Sequence, residues 1–127
     1  MFRLDKEKNI ELTDAERNYL KGVAKRYEVD LYGINIVRNS GLSWKKNVAC
    51  FSILTPDTIY ICADNKSVLA LLPHIVHESV HRMQYQTLGF LGYCFCAFPL
   101  WRGYLLERDC YDIENKVRDL VQQYPNV

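Results

Sequence analysis

The sequence predicts an α+β domain: an N-terminal helix, a small, mainly antiparallel three-stranded sheet, then a helix carrying an HExxH motif and a C-terminal helix. Three observations lead there. Helical periodicities occupy the two ends of the chain and short β-branched segments its middle. The composition, 49% apolar and 24% charged, is that of a folded globular protein. The 127 residues are enough for one domain, 1–127, with a core that needs no disulfide or metal staple, and too few for two.

Residues 1–11 read as a lead-in. Thr13-Asp-Ala-Glu16 is a capping-box pattern, and Ala15, Tyr19, Val23 and Tyr27 then recur at helical spacing, which predicts a helix over 13–28. Gly33–Val37 alternates and is β-branched, and reads as a strand closed by the turn Asn39-Ser-Gly41. Asn47–Ile53 and Thr58–Cys62 read as two further strands joined by a hairpin turn at Thr55-Pro-Asp57. From Lys66 to about Leu88 the pattern is helical. An interior proline costs about 3 kcal/mol, so Pro73 predicts a short helix before it or a fresh start with Pro73 in the first turn. Gly89 is a natural stop. A last helix over about Leu100–Gln123 carries the stripe Leu106, Cys110, Ile113, Val117 and Leu120.

Sixteen basic against fifteen acidic residues leave a net charge of +1, which argues against nucleic acid or an anionic membrane as a partner bound by bulk charge. The most apolar stretch, Leu88–Trp101, is too short to span a bilayer. It is expected to be a buried connector between helices, with a membrane-touching or partner-binding loop as the alternative. The five cysteines, Cys50, Cys62, Cys94, Cys96 and Cys110, form no CxxC pair and read as reduced thiols. With no signal-peptide pattern at the start, the expected location is cytoplasmic.

All three histidines fall within eight residues: His74, His77 and His81. Four-residue spacing puts His77 and His81 one turn apart on one helix face, where two imidazoles can grip one metal ion. Glu78 between them can take the proton of a water activated by that ion. On a helical wheel Leu72, Ile75, Val76, Ser79, Val80 and Met83 cover about 100–240° from His74, and the histidines, Glu78 and Tyr85 lie opposite. HExxH arises by chance in roughly one chain of this length in several hundred. Three histidines at 74, 77 and 81 could hold a metal alone or His74 could be an inert surface residue, but spanning two turns His74 and His81 are about 10 Å apart along the axis, long for one ion. His74 is therefore expected to line the cleft or support a ligand. Gln84 is expected as a cap or a hydrogen-bond partner near the motif.

A catalytic Zn2+ needs a third protein ligand and one open position. No histidine follows His81, so a carboxylate on the last helix is the natural choice: Glu107, Asp109, Asp112 or Glu114. Glu107 and Asp109 flank the apolar stripe on opposite edges, and the wheel does not separate them.

The motif His77-Glu-Ser-Val-His81-Arg-Met-Gln84, an aromatic-rich connector and Glu107-Arg-Asp-Cys-Tyr111 together resemble a minimal zincin. They are similar to small gluzincin-like metallopeptidases of bacteria and bacteriophages that carry HExxHxxQ and then Glu-x-Glu-Ala-Tyr. The resemblance covers about residues 58–118. It implies a zinc-dependent hydrolase of peptides or proteins, with His77, His81 and Glu107 as ligands and Glu78 as general base. It makes Asp109 the outer partner of the site, or the ligand in place of Glu107. It also implies a sheet above the motif helix, with Thr58–Cys62 nearest the cleft to align an extended peptide. A phage origin would make a virion association expected. Two departures stand out. Larger gluzincins place an aspartate where this chain has Tyr111, so Asp109 or Asp112 is expected to orient a ligand histidine. They also carry a downstream histidine for the oxyanion, for which Tyr111 is the leading substitute here, beside Tyr104, Arg102 and Arg108. The alternative function is an inactive zincin-like structural or interaction protein, such as a phage-particle component, that uses the metal for stability.

Overall fold

A computed structural model describes residues 6–43, 48–63 and 67–123. The architecture is α+β, with an N-terminal helix, a four-stranded mixed sheet, a long helix and a C-terminal helix. After a 3-10 turn at Lys6–Lys8 come β1 (Asn9–Glu11), α1 (Asp14–Arg26), β2 (Asn35–Asn39), β3 (Ala49–Phe51), β4 (Thr58–Cys62), α2 (Val68–Cys96) and α3 (Arg108–Gln123).

The capping box forms as the sequence predicts. Thr13 Oγ1 accepts from the Glu16 amide at 3.1 Å, and Glu16 Oε1 accepts from the Thr13 amide at 3.1 Å. Glu28, at φ 58°, ends the helix in the left-handed region. The buried face is Leu20, Val23, Ala24 and Tyr27, and Tyr19 and Ala15 of the expected stripe are exposed. Glu16 also binds the sheet, its Oε2 accepting from Arg38 of β2 at 2.8 Å.

The sheet order is β1-β2-β4-β3. β1 forms within the lead-in, where no strand is expected, and pairs antiparallel with β2. β2 and β4 are parallel, from Asn35 opposite Thr58 to Asn39 opposite Cys62, so the sheet is mixed, with this one parallel pair between two antiparallel ones. β3 and β4 are the antiparallel pair on either side of the expected Thr55–Asp57 turn. β3 is shorter than the expected 47–53, and Asn47 lies outside the described residues, as does Lys66. Asn39 closes its turn from inside: its fully buried side chain donates to Asn9 Oδ1 at 2.7 Å and accepts from the Gly41 amide at 2.8 Å.

The strand over Thr58–Cys62 is central, not the one at the cleft. Ile59 and Ile61 are completely buried with Leu71, Leu72 and Ile75 of α2. Burying each such side chain is worth about 1.5–3 kcal/mol. That packing carries α2 straight through Pro73, which neither ends the helix nor starts it. The helix begins instead at the N-cap Ser67, whose hydroxyl accepts from the Ala70 amide at 3.1 Å.

Gly89 breaks α2 as expected, with φ 76° and ψ 176°, a conformation available essentially to glycine alone. Beyond Gly89 the chain forms not a buried connector but a second helical arm, 90–96, whose large apolar side chains are mostly exposed. A π-helical turn, Gly103–Glu107, leads from the arm into α3. No helix among the described residues is long and apolar enough to cross a membrane. All five cysteines are free thiols.

Candidate metal centre

The i,i+4 spacing on α2 puts both motif histidines on the face turned toward α3, where they are 8% and 3% exposed. The π turn, one residue longer than an α turn, delivers Glu107 to the same point. His77 Nε2 and His81 Nε2 lie 3.0 and 3.1 Å from one and the same oxygen, Glu107 Oε1. Ligand atoms around a tetrahedral zinc-sized ion, with bonds of about 2.0–2.1 Å, stand roughly 3.3 Å apart. With Cys110 Sγ, the donor atoms of His77, His81 and Glu107 lie within 4.8 Å of one another, a cluster able to hold a metal ion.

The outer hydrogen bonds decide what the inner nitrogens present. His77 Nδ1 lies 2.8 Å from Glu114 Oε1, a carboxylate that can only accept, so Nδ1 carries the proton. Gln84 donates from Nε2 to the Leu106 carbonyl at 2.8 Å, which turns its Oε1 to His81 Nδ1 at 3.0 Å and puts the proton there too. Tyr93 adds a hydroxyl 3.4 Å from the same Nδ1. With Nδ1 protonated, a neutral ring turns its Nε2 lone pair on a carboxylate oxygen, so the two rings either take a cation between them and Glu107 or add a proton at Nε2 and donate to it. The residues fit a metal on donor type, tautomer and spacing.

Electrostatics follow the same pattern. Burial disfavours the charged His77 ring, but its bond to Glu107 and the carboxylates of Glu78, Glu107 and Glu114 outweigh burial and raise its pKa. Hydrogen bonds from His77 and His81 hold the Glu107 carboxyl far below the usual range. Burial raises Glu78, whose Oε2 accepts from the Phe51 amide of β3 at 3.1 Å. Burial also pushes the Cys110 thiol up to about 12.

These groups open into a cleft of about 620 Å³ walled by Val48–Phe51, the π turn and α3. The strand at the cleft is thus β3, the edge strand, in place of the expected Thr58–Cys62. His74 lines the cleft, and burial lowers its imidazole below the ordinary range. Tyr111 also lines it, with its ring edge-on to His77 at 4.6 Å between centroids. Arg102 lines it and donates from Nε to Glu107 Oε2 at 3.0 Å. Tyr104 and Arg108 stack on each other outside it.

Asp109 and Asp112 are exposed, and neither is among the converging donors. Asp109 is on the opposite edge of α3, near Arg108. The carboxylate at the histidine is Glu114, buried and held from behind by Arg118 at 2.6 Å. In the expected stripe Ile113 is exposed and Glu114 takes the inward position. Cys110, read from the sequence as plain core, is a further donor at the site. No protein-family model matches the chain, and no curated protein or solved structure matches it.

Proposed function

We propose that the protein is a zinc-dependent metallopeptidase in which His77, His81 and Glu107 hold the ion and Glu78 is the general base. One observation carries this reading. Two imidazoles, each held by its Nδ1 proton, present Nε2 to a single carboxylate oxygen at the floor of an open cleft that also receives Glu78. Two nitrogens and a carboxylate oxygen are a zinc donor set. The ion, when bound, supplies Lewis acidity toward a carbonyl oxygen and makes a water more acidic.

The chain's own groups then divide the work. Glu78 is fixed by the Phe51 amide and its burial raises its proton affinity, so it can take a proton from the attacking water and return it to the leaving amine. The Tyr111 hydroxyl, a phenol raised further by partial burial and the nearby carboxylates, is protonated and can donate to the carbonyl oxygen as charge grows there. His74 narrows the cleft beside the ligands. The outer edge of β3, with no strand paired to it among the described residues, offers backbone groups along the cleft for an extended peptide to pair with.

Metal analysis after zinc addition should find about one ion per chain, absent from His77→Ala. Glu78→Gln should keep the ion and the fold while hydrolysis of an unfolded protein falls by at least about a hundredfold. Failure to bind zinc, or undiminished hydrolysis by Glu78→Gln, ends this reading.

Cys110 favours a second one. Its sulfur lies in the donor cluster, and a fourth protein ligand would close the site and make the metal structural. Cobalt-loaded protein would then show a thiolate charge-transfer band that Cys110→Ala abolishes, with no peptide hydrolysis in either form.

A further inference from the structure

We propose that the arm after Gly89 inserts into the interfacial layer of an anionic lipid bilayer and seats the protein on a membrane surface. From Leu88 to Trp101 the sequence contains no acidic, basic or histidine residue. In most proteins such a run is buried. Here Leu91 is 80% exposed and Leu100 82%, and Phe90, Phe95 and Phe98 are each at least half exposed. Of the arm's large side chains only Tyr93 turns fully inward, against Phe51, His81 and Tyr85. Fourteen residues cannot span a bilayer, but they suffice to enter its headgroup–acyl boundary.

Two features favour lipid over a protein as the occupant. A protein interface carries about one hydrogen bond per 100–200 Å² and a polar rim. Apart from the weakly polar Cys94 and Cys96 thiols, this face offers no free side-chain donor or acceptor, since the Trp101 indole already donates to the Phe95 carbonyl at 2.6 Å. Hydrocarbon asks for none. The second feature is charge at the arm's root. Arg102 is engaged by Glu107 in the cleft, but Arg108 comes after the apolar run with its side chain 58% exposed and lies over the exposed Tyr104 ring at 4.7 Å. The acidic groups there are Glu107, taken up by the histidines and Arg102, and Asp109, 3.9 Å from Arg108. A long cationic side chain beside an aromatic ring at the edge of an apolar wedge matches an anionic headgroup layer.

The proposal does not depend on the hydrolytic reading, and its test reads no activity. The full chain carrying Trp44→Phe keeps Trp101 as its one tryptophan. With vesicles of phosphatidylcholine and phosphatidylglycerol it should float with the lipid, more strongly as the anionic share rises, and Trp101 emission should shift to the blue. Leu91→Glu/Phe95→Glu changes only exposed side chains. It should lower partitioning by about tenfold or more and remove the blue shift, with circular dichroism and metal stoichiometry unchanged. Leu100→Glu repeats the test should the double variant misfold. Partitioning no stronger than that of the charged variants overturns the proposal. So does a dimer in light scattering that the charged variants convert to monomer, since the occupant would then be a second copy of the chain.

Discussion

Glu114 shows what one side chain contributes to the site and how a candidate ligand in the sequence takes a supporting role in the structure. Its carboxylate faces His77 Nδ1 on one side and Arg118 on the other, so it sets the tautomer of an imidazole 37 residues away. Glu114→Gln keeps the volume but can turn its amide group to His77, and should weaken metal binding about 10–100-fold. Competition with a chromophoric chelator measures this, and unchanged affinity would mean that Arg118 and Glu114 are only a surface pair. His77, Glu78 and His81 are legible because helical spacing alone brings them together. Glu107 is legible as one of four carboxylates, but its selection is not, because a π turn alters the angular count on which a helical wheel depends. Glu114 is legible in the same way, as a candidate ligand, but its place behind His77 is not, and Cys110 is hidden because it belongs to the apolar stripe of α3, where pattern alone suggests packing.

Among the elements, α1 and α2 are marked by their ends. The Thr13–Glu16 box starts α1, and Glu16 links that start to β2. The hydrogen bond from Arg38 holds the Glu16 carboxyl below its usual value of 4.5. The folded state thus prefers the ionised form. The contribution is fully present above pH 4.5 and is lost as pH falls through the lowered folded value. Glu16→Gln should therefore cost stability at pH 7 and little at pH 2, which denaturant melts at the two pH values will reveal. Gly89 marks the other boundary. A Cβ there meets no atom within 4 Å, so Gly89→Ala is opposed by backbone strain alone, at about 1–3 kcal/mol. A midpoint unchanged in chemical denaturation would show that the arm straightens at no cost. Helix α1, the β3–β4 hairpin and the Gly89 break are written in local patterns. Pro73 misleads, because the fully buried Leu71, Leu72 and Ile75 outweigh the hydrogen bond that its ring deletes.

At the scale of the molecule, the candidate centre joins two long elements. The histidines are on α2 and Glu107 is at the head of α3, so a bound ion ties the helices together. At a thousandfold excess over its dissociation constant, an ion bound only by the folded chain adds about 4 kcal/mol of stability. Zinc should accordingly raise the melting temperature by about 10 °C or more over chelator-treated protein, and His77→Ala should erase the rise. Identical melting curves with zinc and chelator would show that no ion joins the helices. The α+β class is readable from the order of the segments, but the sheet's pairing is not. A three-residue strand such as β1 carries almost no pattern, and the parallel match of β2 with β4 depends on which edge the intervening β3 takes. The same limit applies to the apolar arm, since a sequence records hydrophobicity but not what covers it. That arm is continuous with the site: a few residues after its exposed face, Arg102 grips the far oxygen of Glu107. Thermodynamic linkage makes this connection two-way. Whatever factor an ordered arm contributes to the ion's affinity, the ion must return to the arm, and neither end can be tuned by mutation without the other registering the change.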